Sequence, residues 1–412
     1  MTGPLPVGLE MTRILFVDDE INILQGLRRL LRPFAQNWVM DFASSGDEAL
    51  AKLAAAPADV VVSDMRMPGM DGAQLLERVR HEYPQTMRII LSGYSDREVV
   101  LRSIGAAHRY LAKPCTPEAL RQAIQASERA RTTLRQDTVR TMVSEMNCVP
   151  SLPSAYEALM HEFESPNASL VRVAEIVERD PGMTAQVLRV CNSLLFGLRT
   201  EVSSAPMAVT LMGLRTVASL FLSMQIFKQF DVTSVTGLEL EAVCDHSLST
   251  AWLAREIARA EGCSSRMAED AFTAALLHDV GKLLLGLNFP DLYREVVTAS
   301  AAGHATTAEA ERAVFGADHA EVGAFLLNLW GLPQLLVDAV AQHHSLSPGR
   351  PVLNVTTVVH IADALDAEHR GELRSGLDAS YLASLGLVSR LDAWRQLRST
   401  VPGTTAAIDT VA

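Results

Sequence analysis

Asp59-Val60-Val61-Val62-Ser63-Asp64 is a short apolar run that ends on a carboxylate, and its reading decides how the N-terminal part of the chain folds. A strand covered on both faces reads as an unbroken Val/Ile/Leu run rather than as an alternation. Ile14–Val17, followed by Asp18-Asp19, and Ile89–Leu91, followed by Ser92, have the same form. Three buried strands, each ending on a polar residue, predict an open parallel sheet of α/β class. In such sheets the carboxyl ends of the strands form the ligand crevice. Asp18, Asp19, Asp64, Ser92 and Lys113 are therefore expected to converge at one edge, although they lie far apart in sequence.

Those residue types suit one chemistry. An Asp carboxylate can attack a phosphoryl donor and form an acyl phosphate, but the approach of two anions calls for a divalent cation. Asp18 and Asp19, with Asp64 and a backbone carbonyl near Arg66, offer the hard oxygen ligands that Mg2+ prefers. Lys113 can pair with the transferred phosphoryl group, and Ser92 can donate to it. Pro114 is placed to fix the turn after Lys113.

The stretch from about Met11 to Ser127 resembles the receiver domain of a bacterial response regulator. The resemblance is carried by Ile14-Leu15-Phe16-Val17-Asp18-Asp19-Glu20, Ser63-Asp64-Met65-Arg66-Met67-Pro68-Gly69-Met70-Asp71-Gly72, Leu91-Ser92-Gly93 and Tyr110-Leu111-Ala112-Lys113-Pro114. It implies a flavodoxin-like, five-stranded parallel sheet, with Asp64 as phosphoacceptor and Ser92 and Tyr110 as a switch pair. A sensor histidine kinase is the partner this implies.

At 412 residues the chain has room for two or three domains of ordinary size. Its net charge of −12 and the lack of a Lys/Arg-rich tract argue against direct nucleic-acid binding. Five scattered cysteines (Cys115, Cys148, Cys191, Cys244, Cys263), with no C-x-x-C pair, read as reduced thiols in a cytoplasmic protein. Met1 to Glu10 lacks a basic n-region and a long apolar core, so neither a signal peptide nor an anchor is expected. No run approaches the roughly 18 apolar residues of a membrane span.

Thr116-Pro117-Glu118 signals a helix start, with Thr as N-cap and Pro at the first helical position. The polar helix it opens runs toward Met146 and doubles as a linker. Leu120, Ile124, Leu134 and Met142 are sparse for a coiled coil, and Arg129, Arg131 and Arg135 read as a solvated face, so this helix is a candidate dimer contact and no more. Val149-Pro150-Ser151-Leu152-Pro153-Ser154 marks a domain boundary. Beyond Tyr156 apolar residues recur at helical spacing, which predicts an all-α domain of about ten helices. Asp180-Pro181 should start one helix and Pro206 another.

Eight of the eleven histidines follow Val243. His246, His278-Asp279, His319, His343-His344 and Asp363 lie in or at the ends of apolar-periodic segments, where side chains can project into a helical bundle. A lone histidine such as His304 or His360 is more simply an exposed or hydrogen-bonded residue. Seven coordinated positions are harder to attribute to packing, because buried polar groups need partners. Imidazole with carboxylate suits iron, manganese, zinc or nickel, and Asp279 is placed to bridge two ions. Lys282 could contact a bound phosphate.

Ala275-Leu276-Leu277-His278-Asp279-Val280-Gly281-Lys282 resembles the central motif of the HD superfamily of metal-dependent phosphohydrolases. The stretch from Cys148 to Ala364 looks most like its HDOD branch, through Val149-Pro150-Ser151-Leu152-Pro153, Arg179-Asp180-Pro181, Cys191-Asn192-Ser193, Leu211-Met212-Gly213-Leu214-Arg215 and Trp330-Gly331-Leu332-Pro333. Many members of that branch have lost the metal ligands and are thought to act as signalling modules. The sister HD-GYP branch, which cleaves cyclic di-GMP, has Glu after the His pair and then Gly-Tyr-Pro. Here His344 is followed by Ser345-Leu346-Ser347-Pro348-Gly349-Arg350, and the first ligand Glu of some of those enzymes is replaced by Ala242.

The expected layout is an extension over 1–11, a receiver over 12–128, a helical linker over 129–147, an HDOD/HD-like all-α domain over 148–365 and a helical tail over 366–412. Two functions remain open: a phosphorylation-controlled module that binds a downstream signalling protein, and a phosphorylation-gated metal-dependent phosphodiesterase or phosphohydrolase. The intact His/Asp positions favour the second, and the HDOD-like first half with the missing Gly-Tyr-Pro favours the first.

Overall fold

The computed structural model describes residues 11–34, 38–93, 106–133, 137–145, 153–165, 167–192, 202–214, 216–218, 221, 240–303, 305–346, 352–371 and 376–400. The chain divides into two compact units, one reaching Thr132 and one from Thr133 onward.

The first unit is built on a five-stranded parallel sheet in the order β2-β1-β3-β4-β5. Its strands are β1 (Thr12–Val17), β2 (Trp38–Ala43), β3 (Val60–Asp64), β4 (Met87–Ser92) and β5 (Arg109–Ala112). The three apolar runs singled out in the sequence are β1, β3 and β4, and every residue of β3 and β4 is buried. Helices α1 (Ile21–Leu30), α2 (Gly46–Ala55) and α3 (Gly72–Glu82) connect the strands, and α4 (Pro117–Thr133) follows β5. The direction of chain reversal lies between β1 and β3, so the ends of these two strands open the crevice in which open sheets bind ligands.

Gly72 fixes how closely α3 approaches that crevice. A Cβ built there would stand 2.0 Å from the carbonyl oxygen of Asp64, so only glycine lets the helix begin against the end of β3. Asp71 caps the same helix, its carboxylate accepting from Gln74 N at 2.7 Å while Gln74 Oε1 accepts from Asp71 N.

The second unit is helical throughout the described residues. It comprises α5 (Asp137–Glu145), α6 (Pro153–Glu164), α7 (Leu170–Glu178), α8 (Pro181–Asn192), α9 (Ala205–Met212), α10 (Leu240–Ala260), α11 (Ser265–Leu277), α12 (Val280–Asn288), α13 (Pro290–Ala301), α14 (Thr307–Phe315), α15 (His319–Leu329), α16 (Gln334–Gln342), α17 (Val355–His369), α18 (Ala379–Ser384) and α19 (Leu391–Thr400). These exceed the ten expected, because short polar turns cut the apolar periodicity into separate helices. Pro181 and Pro206 stand at helix starts as expected, and Asp180 Oδ1 accepts from Met183 N at 2.8 Å.

At its centre α10 packs on α11 and α17, α12 on α15, and α16 on both α15 and α17. The Ala-rich run Ala271–Leu277 is wholly buried, which lets α11 sit deep in the bundle. Gly281 does for this unit what Gly72 does for the first: a Cβ there would lie 2.0 Å from the carbonyl oxygen of His319.

The helix from Pro117 is described as far as Thr133 and helix also occupies 137–145; the residues between them, and Met146, lie outside the described residues. One expectation needs correction. The boundary expected at 365/366 falls within α17, whose buried face continues past it through Asp366 and Ala367. The continuation of a helix is invisible to apolar periodicity once polar residues enter its buried face.

Gly281→Ala should cost roughly 3 kcal/mol or more, since backbone rather than a mobile side chain must move. Gly26→Ala, in α1 with nothing within 4 Å of the new Cβ, should instead gain about 0.5–1 kcal/mol. Denaturant melts of the full chain, read separately for the two units, would show this opposite pair of signs; equal effects would contradict the packing described.

Candidate functional site

Two clusters of ionisable groups stand out, one in each unit. In the first, Asp18 follows β1 and Asp64 ends β3, and both are buried. Lys113 Nζ lies 2.8 Å from Asp18 Oδ2 and is bonded as well to Asp64 Oδ1. The remaining carboxylate oxygens take backbone donors: Glu20 N on Asp18 Oδ1 and Arg66 N on Asp64 Oδ2, each at 2.9 Å. Arg66 thus meets the site through its N–H. Asp19 is exposed at the rim.

Ser92 ends β4 and is fully buried, and its hydroxyl has no hydrogen-bond partner among the described residues. Ser92 follows Leu91, the register partner of Asp64, and its carbonyl accepts from Lys113 N at 2.8 Å, so the orphaned hydroxyl lies on the strand next to that of Asp64. Tyr110 pairs in register with Ile90, two residues before Ser92, which places both on one face of neighbouring strands. Burial pushes the Asp64 carboxyl up, and the Lys113 ammonium offsets only part of that effect while Asp18 adds to it. One ammonium, Lys113, thus serves two buried carboxylates.

The second cluster is assembled from helix ends and helix faces. His246 lies within α10 and Asp363 within α17; His278 ends α11, Asp279 precedes α12, His319 opens α15, and His343 ends α16 with His344 next. All seven expected positions converge. His278 Nε2 is 3.2 Å from His246 Nε2 and 3.5 Å from Asp363 Oδ1, and His246 Nε2 is 3.1 Å from the same oxygen. His319 Nε2 lies 2.7 Å from His344 Nε2. Asp279 stands between the two groups, its Oδ1 at 3.3 Å from His319 and 3.5 Å from His278, its Oδ2 at 3.6 Å from His246.

Asp279 occupies an N-cap position yet makes no capping bond, so its carboxylate is turned inward instead. Lys282 Nζ holds Asp279 Oδ2 at 2.7 Å rather than standing apart. Ala242 is exposed, one turn before His246.

A second layer fixes the rings. The Nδ1 atoms of His278 and His343 donate to the carbonyls of Ala275 and Val340 at 2.6 and 2.7 Å, leaving Nε2 of each directed at the cluster. His246 Nδ1 meets Asp366 Oδ2 at 2.6 Å, and His319 Nδ1 meets Glu311. Glu311 is completely buried; it also accepts from His319 N at 2.8 Å and from Tyr293 OH at 3.0 Å. His360 proves to be a supporting residue, donating from Nδ1 to the carbonyl of His343 at 2.7 Å and accepting from Asp378 N. His304 lies outside the described residues.

Burial disfavours the charged form of His246, but its bonds to Asp363 and Asp366 outweigh this and hold it at about 9. Burial, reinforced by His319, drops His344 to about 3 and keeps His343 well below the usual imidazole range. Asp279 and Asp363 stay well below the usual carboxylate range, the cost of burial being outweighed by neighbouring histidines and, for Asp279, by Lys282. The cluster thus combines neutral His343 and His344 with ionised Asp279 and Asp363, while for His246 and His319 the cost of burial is outweighed by neighbouring carboxylates, which push them up toward their charged forms.

Two acceptors within it have no donor: His343 Nε2 and Asp279 Oδ1 are buried without a hydrogen-bond partner among the described residues. Ligand atoms gather into three overlapping groups, His319/His343/His344, His246/His278/Asp363 and His278/Asp279/His343. Buried orphaned acceptors with their opposite nitrogens already committed fit a cation.

The sequence did not point to Glu311 or Asp366. Asp366 had a local signal, since it follows Asp363 by three residues and so shares its helix face. Glu311 sits eight residues before His319 on another helix, with no periodic relation to it.

Residues 14–125 match the response regulator receiver domain and residues 149–346 the HDOD domain. The chain belongs to the response regulators, joining a receiver domain to an HDOD domain. The hydrogenase transcriptional regulatory protein HoxA of Cupriavidus necator is 33% identical over 177 residues, covering 40% of this chain and 36% of that protein. An uncharacterized protein of Treponema pallidum is 23% identical over 206 residues, covering 50% of this chain and 39% of the other. The match thus spans less than half the length of these curated relatives. Among solved structures, the MmoQ response regulator of Methylococcus capsulatus covers 63% of this chain and 96% of its own at 23% identity, with a TM-score of 0.46. The receiver domain of an HD domain-containing protein from Pseudomonas fluorescens is 37% identical over 29% of this chain and 99% of its own, with a TM-score of 0.27. No helix among the described residues is long and apolar enough to cross a membrane.

Glu311→Ala would leave three buried donors without their acceptor, and should destabilise the helical unit by about 3–5 kcal/mol. Tyr293→Phe removes a single donor and should cost about 1 kcal/mol. Chemical denaturation followed by far-UV circular dichroism checks the ratio; comparable losses would mean that Glu311 is not the hub of the bonds around His319.

Proposed function

We propose that a sensor histidine kinase phosphorylates Asp64 and that the phosphoryl group controls the HDOD unit, a signalling module that binds a downstream protein and retains a metal site. The observation that carries the receiver half is Lys113 spanning the buried carboxylates of Asp18 and Asp64 beside the orphaned Ser92 hydroxyl. Asp64 attacks phosphorus and the donor's imidazole leaves, so a phosphoimidazole becomes an acyl phosphate. Lys113 can then shift from carboxylate to phosphoryl oxygen, and Ser92 can turn its hydroxyl toward the new anion. Asp18, Asp19 and Asp64 with the Arg66 backbone would hold Mg2+, which would supply the neutralising charge.

Transmission needs an element with two arrangements, and Ser92 with Tyr110 on the same sheet face is our candidate. The phosphoryl group would draw Ser92 and free the space that Tyr110 occupies. A dimer contact through α4, no direct nucleic-acid partner and a cytoplasmic location belong to the same reading.

The convergence of seven ligand-type side chains favours a second reading of the output, a metal-dependent phosphodiesterase or phosphohydrolase. His246, His278, Asp279, His319, His343, His344 and Asp363 would hold one or two ions of iron, manganese, zinc or nickel. Such ions polarise phosphoryl oxygen and activate water. Asp279, central to the cluster, is suited to be shared between two ions, and Lys282 keeps its carboxylate ionised and directed inward. Lys282 and His344 keep partial exposure, which places the approach to the cluster on their side.

A small phosphodonor with magnesium should place one acid-labile phosphate on the wild-type chain and none on Asp64→Asn. Wild-type labelling of the Asn variant would refute Asp64 as acceptor. Purified protein should carry one to two transition-metal ions per chain by mass spectrometry, absent from the His278→Ala/Asp279→Ala variant, which keeps its helical circular dichroism. Metal-dependent cleavage of an aryl phosphodiester, or of a cyclic dinucleotide, would then favour the enzyme. A chain that stays metal-free after reconstitution, with partner binding intact in the double variant, leaves the module alone.

A further inference from the structure

Helix α19 (Leu391–Thr400) lies beyond the residues that match the HDOD domain, and nothing in its sequence announces a role. It is nevertheless joined to the metal-ligand cluster by a single chain of bonds. Arg398 Nε donates to Asp366 Oδ1 at 2.6 Å, and Asp366 Oδ2 meets His246 Nδ1 at 2.6 Å. Asp366 is fully buried, and the Arg398 side chain is only 11% exposed. The helix is seated separately by Trp394, fully buried, whose Nε1 donates to Glu261 Oε1 at 3.0 Å, and by Arg390 Nε at 2.8 Å from the same oxygen.

We infer that Arg398 is a positioning residue for the metal site, setting the aim of His246 through Asp366; the inference rests on the metal-binding reading above. Four donors converge on the Asp366 carboxylate. Ser249 Oγ, at 2.6 Å, comes from α10, the helix that carries His246, and Arg370 Nε, at 3.1 Å, comes from the C-cap of α17, which carries Asp366 itself. Arg398 alone among the four comes from an element that contributes no ligand. A carboxylate held on both oxygens cannot rotate without losing a charge-assisted bond, so the imidazole bonded to it keeps its direction. The helix at 391–400 therefore enters the site's geometry through Asp366.

The test titrates zinc(II) into the metal-free full chain against a chromophoric chelator at fixed pH and ionic strength. Hydrogen-bonding partners behind metal-binding histidines typically change affinity by about 10–100-fold, so Arg398→Met, one bond further out, is expected to weaken zinc binding by about tenfold. Arg398→Lys should restore part of the loss. In an Asp366→Asn background, Arg398→Met should weaken binding no further. Arg395→Met is the control, because Arg395 on the same helix pairs instead with Glu368 and Asp392. It should leave zinc affinity unchanged.

Unfolding midpoints of the metal-free variants separate loss of helix docking from loss of aim, and Arg398→Gln replaces Arg398→Met should the latter fail to fold. Wild-type zinc affinity in a folded Arg398 variant overturns the positioning role while leaving the metal site in place. Equal losses in the Arg395 and Arg398 variants assign the effect to docking and overturn it too. A wild-type chain that takes up no zinc removes the metal reading and this inference together.

Discussion

Buried charge must be compensated where it stands, and that constraint organises both units. Carboxylate and imidazole groups taken out of water lose several kcal/mol of hydration each unless partners replace it. In the first unit the compensation is sparse: one ammonium, Lys113, serves two carboxylates, and one hydroxyl, Ser92, serves nothing. In the second it is dense, with each ring nitrogen that faces away from the cluster tied to a carbonyl or carboxylate for His246, His278, His319 and His343. Each cluster also leaves buried polar atoms without a partner among the described residues, Ser92 Oγ on the α/β sheet and Asp279 Oδ1 with His343 Nε2 in the helical bundle.

The backbone makes these concentrations of polar groups feasible by bringing elements closer than ordinary side chains allow. Gly72 admits the start of α3 to the carbonyl of Asp64, and Gly281 admits the start of α12 to that of His319. In each case the close approach is to the backbone of a residue that belongs to a polar cluster. Apolar burial supplies the rest: β3 and β4 are covered on both faces, and the Ala271–Leu277 run carries His278 into the bundle. The energetic load of the sites is thus borne by neighbours that take no part in the chemistry.

The supporting shell also joins the C-terminal helix to the ligand cluster. His246 is bonded to Asp366, and Asp366 to Ser249, Arg370 and Arg398, so the setting of an imidazole on α10 depends on residues from α17 onward, α19 included. The boundary drawn at 365/366 failed for this reason. Hydrophobic periodicity weakens where a helix face buries charged groups, and Asp366 looks in sequence like the first residue of a polar tail.

The sequence by itself determined the class of both units and most of the ligand-type residues. Val60–Val62, Ile14–Val17 and Ile89–Leu91 could only be doubly covered strands, and the polar residue after each had to fall on one edge because parallel strands end together. His278-Asp279, His343-His344 and their partners were legible as types that packing does not explain. What sequence could not give was which atoms face one another. The uncapped turn of Asp279 into the cluster, the orphaned Nε2 of His343, the buried Glu311 behind His319 and the reach of Arg398 to Asp366 join residues with no periodic relation. Local pattern encodes which face of a helix is buried; only the packing of separate helices decides which polar atoms are left to find one another there.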